Sequence, residues 1–141
     1  MRNPRNRRNP SLNFLGVKSI LTETELARPR TILDTFANPA PRRDYEIQFV
    51  FDEFTSLCPV TGQPDFATLT VLYRPRRLCV EMKSLKLYFY SYRNKGIFYE
   101  AAVNAILDDL AAVLQPRRLS VTGEFSIRGG TAATITARYP R

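Results

Sequence analysis

From Tyr45 onward the chain alternates, with Tyr45, Ile47, Phe49 and Phe51 in one set and Glu46, Gln48 and Asp52 in the other. A period of two puts such sets on opposite faces of a pleated strand, so residues 44–54 are expected to form one. Residues 57–64 carry Cys58, Pro59, Gly62 and Pro64, which is loop chemistry. A second strand is expected over 66–74, where β-branched and aromatic residues dominate. Pro75 to Arg77 break it, and Leu78 to Glu81 resume it briefly. The period then changes. A helix is expected from Ser84, acting as its cap, to Tyr92 or Arg93, with Asn94-Lys95-Gly96 as the stop. Val103, Ile106, Leu107, Leu110, Val113 and Leu114 recur at helical spacing and predict a second helix from about Phe98 to Leu114. Gln115-Pro116 ends it. Leu119 to Ile127 and Thr131 to Tyr139 read as two strands joined at Arg128-Gly129-Gly130.

The order strand, strand, helix, helix, strand, strand predicts an α+β domain with an antiparallel sheet. Four strands leave two open edges, so closure into an oligomeric barrel is expected. Ahead of the sheet, residues 1–13 are rich in Asn, Pro and Arg and are expected as a disordered basic tail. Residues 14–43, with Pro29, Pro39 and Pro41, read as an extended arm with one or two short turns. The expected organisation is that tail followed by a single catalytic domain over 14–141.

Composition narrows the chemistry. A length of 141 residues fits one domain. No stretch reaches the roughly 20 apolar residues of a membrane helix, and no apolar signal run follows MRNPRNRRNP, so a cytoplasmic protein is expected. The sequence has no histidine, which excludes Ser-His-Asp and Cys-His systems, imidazole-based zinc sites and a histidine general base. Cys58 and Cys79 are the only cysteines, a sparse usage that fits a reducing compartment. The net charge is +8, with four arginines in the first ten residues. That tail reads either as a solubilising arm or as an RNA-binding arm. The remaining surplus of +4 suits a polyanionic ligand such as a phosphorylated cofactor.

Among the remaining nucleophiles Cys58 stands out, because loops on a rigid scaffold present reactive groups. Asp65 follows seven residues later, and the intervening prolines and glycine can fold it back toward the sulfur. A thiol must lose its proton to attack, and a nearby carboxylate can accept it and later return it. The structural alternative is a small buried cysteine and a turn aspartate. Cys79, in Leu78-Cys79-Val80, reads as core. Lys83 and Lys86 share a face at a helix start and form a candidate phosphate site, or else a solvated helix face. Glu100 opens the second helix, either as a dipole-stabilising carboxylate or as an acceptor for a guanidine-like purine edge.

Together these segments resemble the QueF family of queuosine-pathway nitrile reductases, in its short single-domain form. Leu57-Cys58-Pro59-Val60-Thr61-Gly62-Gln63-Pro64-Asp65-Phe66 looks like the family's catalytic loop, and Glu81-Met82-Lys83-Ser84-Leu85-Lys86-Leu87-Tyr88 like its cofactor motif. Arg93-Asn94, Gly96-Ile97-Phe98 and Glu100-Ala101-Ala102-Val103-Asn104 resemble its substrate-binding helix start, and Arg128-Gly129-Gly130 its C-terminal turn. The match covers about residues 14 to 139. The resemblance implies a tunnelling fold, ββααββ, closed into ring barrels with active sites between subunits, as a decamer of two pentameric rings. It implies NADPH-dependent reduction of 7-cyano-7-deazaguanine to 7-aminomethyl-7-deazaguanine through a Cys58 thioimidate, with Asp65 moving protons and no metal. Val80, Glu81, Met82, Tyr99 and Glu100 would then bind substrate; Met82, Lys83, Lys86, Arg128 and Gly129 would meet NADPH. Direct tRNA binding is not expected.

Two positions depart from the family. Tyr99 stands where histidine is typical, and a phenol with a pKa near 10 is a poor proton shuttle at neutral pH. Met82 replaces the usual Ser or Leu, which a backbone contact tolerates and a hydroxyl contact does not. Two other readings compete. One is an archaeosine synthase-like enzyme, forming an amidine on nitrile-modified tRNA; the intact Lys83 to Tyr88 segment argues against it. The other is a small RNA-binding module using the arginine tail and Tyr88-Phe89-Tyr90 with Tyr92.

Overall fold

The computed structural model describes residues 21–141. The tail expected over residues 1–13 lies outside them. In chain order the elements are α1 (Glu23–Ala27), a 3-10 turn (Pro29–Ile32), β1 (Thr35–Ala37), β2 (Ile47–Leu57), β3 (Pro64–Arg74), β4 (Leu78–Val80), α2 (Met82–Tyr90), α3 (Tyr99–Leu114), β5 (Arg118–Arg128) and β6 (Thr131–Tyr139). The four long strands form one antiparallel sheet in the order β2-β3-β5-β6. The two helices of the middle segment pack on one face of it, so the α+β class expected from the pattern holds. Among the described residues, no helix is long and apolar enough to cross a membrane.

Alternation builds that face. Asp65, Ala67, Leu69, Val71 and Tyr73 of β3 are buried, and so are Leu119, Val121 and Phe125 of β5. Helix α3 covers them with Ala102, Val103, Ile106, Leu107, Leu110 and Leu114, the stripe its spacing predicted with Val113 left half-buried. Helix α2 adds Leu85, Tyr88 and Phe89. The Tyr88 hydroxyl is fully buried and donates to Asp109 Oδ2 at 2.7 Å, while Arg30 Nε donates to Oδ1 at 2.8 Å. Burial drives the Tyr88 phenol far above its ordinary range and pushes Tyr92 up to about 12.

Two strands carry a register shift. In β2, Phe51 opposes Leu69 and Phe54 opposes Ala67, so one extra residue lies between them. The inward set changes there from odd to even numbers, and Phe54 and Ser56 become fully buried. A strict period of two misses this, and the strand runs to Leu57 instead of ending at Phe54. In β5 the same device lies between Phe125, opposite Ala133, and Arg128, opposite Thr131.

Two expectations need correction, and one competing reading loses its support. Helix α2 begins before Ser84 and is capped by Glu81, whose carboxylate accepts from Lys83 N–H and Ser84 N–H, each at 2.8 Å. Ser84 is instead buried within the helix and accepts from Asp34 N–H at 2.9 Å. The described part of the arm is more structured than one or two turns: β1 pairs with β4 in a second, two-stranded sheet. A three-residue strand is too short to show a period. The aromatic run is mostly core, because Tyr88, Phe89 and Tyr92 are buried and only Tyr90 is exposed. That removes the stacking platform an RNA-binding module would need.

Candidate active site

The loop between β2 and β3 folds back on itself. Cys58 N–H donates to Gln63 C=O, and Gly62 N–H to Cys58 C=O, both at 2.8 Å. Pro59 presets the first bend, and Gly62 sits at φ +70°, a region that favours glycine. Leu57 is held from its other side: its N–H donates to Lys95 C=O at 2.9 Å, and Ile97 N–H donates to its carbonyl at 3.0 Å. That clamp sets the start of α3 against the thiol loop.

Arg128 arrives from the opposite side. With the extra residue in β5 it shares the inward face of Phe125; strict alternation would have turned it outward. Its Nη1 donates to Asp65 Oδ1 at 2.7 Å, and its Nη2 donates to Thr61 Oγ1 at 2.8 Å and to Gln63 Oε1 at 3.0 Å. The Tyr99 hydroxyl also donates to Asp65 Oδ1, at 3.0 Å. The Tyr99 ring stacks on Phe125, with centroids 3.9 Å apart and planes 13° from parallel. Asp65 is 3% exposed, so its charge is matched by these donors instead of by water.

The electrostatics favour a reactive thiol. Cys58 is lowered from 9.0 to about 7, first by the Thr61 hydroxyl, then by the Thr61 and Val60 backbone N–H groups, with a smaller pull from Arg128; partial burial opposes them. Thr61 Oγ1 accepts from Arg128, which leaves its own proton to point at sulfur and polarises it. The Tyr99 phenol is raised above its ordinary value by burial and then by Asp65.

Cys58, Asp65, Tyr99 and Arg128 are thus brought together at one end of the sheet. Cys79 is buried core, as its pattern indicates. Glu100 and Gly129 adjoin Tyr99 and Arg128 in the chain, whereas the expected residues of 80–86 lie elsewhere. Val80 donates its N–H to the Tyr73 hydroxyl at 3.1 Å. Tyr73 is eight residues from Asp65 along β3, about 27 Å at the rise of an antiparallel strand. Glu81, Met82, Lys83 and Lys86 follow Val80 at that far end. The α2 N–H groups of Lys83 and Ser84 are taken by the Glu81 carboxylate, so a phosphate there would rely on the lysine side chains and not on these helix amides. Met82, Lys86 and Glu100 are exposed, and Gly129 sits at φ +59° in the β5–β6 turn. The sequence reading gave Thr61 and Gln63 no role of their own; the three-residue step from Cys58 to Thr61 past Pro59 was the available signal. Ser56, the register partner of Asp65, is fully buried with no hydrogen-bond partner for its hydroxyl, and nothing in its pattern announced it.

A family model described as QueF-like protein matches residues 64–141. A relative from Nitrosococcus oceani, named NADPH-dependent 7-cyano-7-deazaguanine reductase, is 57% identical over 113 residues, covering 80% of this chain and 88% of its own. The chain belongs to the QueF-like family. A reductase of the same name from Thermomicrobium roseum is 54% identical, covering 81% of this chain and 89% of its own. Cys58 precedes the family-model match, but a span of 113 residues within 141 includes positions 29–113, and so Cys58. The crystal structure of an apo archaeosine synthase, QueF-Like, aligns with a TM-score of 0.59 at 23% identity, covering 67% of this chain and 91% of its own. At that identity it speaks for the fold alone.

Proposed function

We propose that the chain catalyses the NADPH-dependent reduction of 7-cyano-7-deazaguanine to 7-aminomethyl-7-deazaguanine, in queuosine biosynthesis. Its relatives at 52–57% identity carry that reductase name. The observation that carries the reading to particular residues is a thiol lowered to about 7 in a loop tied through Arg128 to a nearly buried Asp65.

The chemistry follows from those groups. Cys58 sulfur attacks the nitrile carbon, one carbon–nitrogen π bond breaks, and its electron pair goes to nitrogen. The thiol proton passes to Asp65 and from there to that nitrogen, leaving a thioimidate on Cys58 and Asp65 unchanged. Covalent attachment converts an inert triple bond into an electrophilic C=N. NADPH, when bound, supplies hydride, and nitrile to amine is a four-electron change, so two equivalents are consumed. Arg128 holds Asp65 and Thr61 in register while the thiolate forms. Lys83 and Lys86 suit phosphate by charge, with Met82, Arg128 and Gly129 as further contacts; Glu100 and Val80 to Met82 are the proposed base-binding residues.

The separation along β3 between Asp65 and Tyr73, beside which Val80 and the start of α2 lie, supports a site completed by a second copy of the chain. Both sheet edges, β2 and β6, lack a strand partner on their outer sides among the described residues. We therefore propose a ring barrel of the tunnelling fold, assembled as a decamer of two pentamers, with the domain boundary at residue 14 and a cytoplasmic location.

Intact mass after mixing with the nitrile base, without NADPH, tests the first step. An adduct mapped to Cys58, absent in Cys58→Ala, is expected, followed by oxidation of two NADPH per nitrile once cofactor is added. Adduct and turnover persisting in Cys58→Ala would refute the nucleophile.

A further inference from the structure

We propose that Tyr99 is a positioning residue that anchors Asp65 through Oδ1 and leaves Oδ2 as the oxygen that relays the proton. This rests on the function proposed above and concerns its acid–base step. Both donors to Asp65 meet the same oxygen, Tyr99 at 3.0 Å and Arg128 at 2.7 Å. Among the described residues, no donor engages Oδ2. A carboxylate gripped twice at one oxygen cannot turn without breaking both bonds, so the direction of Oδ2 is fixed.

Tyr99 is itself fixed. Its ring lies flat on Phe125, and its residue opens α3 just beyond the clamp on Leu57. A phenol has one proton to donate, and here Asp65 takes it. Burial and the Asp65 charge raise the phenol, so it stays protonated through the working pH range and yields nothing to the reaction. The thiol proton moves to Oδ2 as the carbon–sulfur bond forms, then from Oδ2 to the nitrile nitrogen. Oδ1 stays held by Tyr99 and Arg128 throughout. The sequence expectation had this side chain touching substrate; its hydroxyl is instead engaged with Asp65.

Tyr99→Phe keeps the ring on Phe125 and removes only the hydroxyl, and Tyr99→His restores an N–H donor. Adduct formation on Cys58 is followed by quenched mixing with 7-cyano-7-deazaguanine and intact mass, without NADPH. The Phe variant is expected to react about tenfold more slowly at unchanged half-saturation, the cost of one bond to a charged acceptor. The His variant is expected to recover to within about threefold. A Phe variant as fast as wild type overturns the proposal, and so does one altered only in half-saturation, which returns Tyr99 to substrate binding. A wild-type protein that forms no adduct strikes at the proposed function instead.

Discussion

Thr61 offers the sharpest test of how the thiol is activated. Thr61→Val keeps the branched side chain and the backbone N–H but removes the hydroxyl, the largest influence lowering Cys58. A thiol at about 7 is half ionised at pH 7, whereas at 9.0 about one in a hundred would be, a roughly fiftyfold gap in thiolate. Two backbone N–H groups and Arg128 remain in the variant, so recovery of about one unit of that gap is expected. The ionised fraction at pH 7 then falls from about a half to about a tenth, a fivefold slower alkylation. The sign is fixed by chemistry: only the thiolate reacts, its fraction rises with pH, and raising the pKa moves the curve to higher pH. Iodoacetamide rates from pH 5.5 to 10 read this out, with buried Cys79 shielded from the reagent. Wild type should show a midpoint near 7, the valine variant one near 8, and both the same plateau at high pH. Thr61→Ser should restore the wild-type curve. A wild-type midpoint near 9, or a valine variant that matches wild type, would refute the account of Thr61.

Asp109→Ala should destabilise the fold by about 1–3 kcal/mol in urea unfolding, because it leaves the fully buried Tyr88 hydroxyl with Tyr92 alone. The half-exposed Arg30 pair adds little to that, so Arg30→Ala should cost under about 1 kcal/mol; equal losses would contradict the assignment. At Gly123 an added Cβ would lie 2.8 Å from Phe125 Cε2 and 3.0 Å from Val103 Cγ2. Gly123→Ala should therefore cost about 1–3 kcal/mol and, by shifting the ring under Tyr99, slow adduct formation as well. Normal stability and normal rate together would show that Phe125 yields freely.

The element order, the α+β class and the buried stripe of α3 were legible because long segments keep one period. Cys58 and Asp65 were legible as a pair because a loop with two prolines and a glycine has few ways to turn. The bulges were not, since one inserted residue looks like any other until its partner strand is known. That is why Arg128 read as a turn residue and a cofactor contact but not as a partner of Asp65: its inward aim depends on the extra residue between Phe125 and Arg128. Glu81 escaped as a helix cap because serine and aspartate are the commoner signals, and Ser84 offered one three residues too late. The pairing of β1 with β4 spans more than forty residues and involves only three on each side.

A histidine beside a cysteine ordinarily takes the thiol proton, holds the ion pair and returns the proton, because one ring titrates near neutrality and has two polar atoms. This chain has none, and its geometry divides the work. Thr61 and two backbone N–H groups stabilise the thiolate, which a hydroxyl can do without titrating. In the proposed mechanism Asp65 carries the proton, and being nearly buried it needs donors to stay in place. Arg128 spans both tasks, bonding Thr61 with one nitrogen and Asp65 with the other. On that proposal what remains for Tyr99 is orientation alone, the one function of an imidazole that a phenol performs at neutral pH. Restoring histidine at that position should therefore leave the thiol alkylation curve close to that of wild type, because none of the influences that lower Cys58 comes from residue 99. A midpoint displaced by a full unit in Tyr99→His would show that the two tasks are not separable.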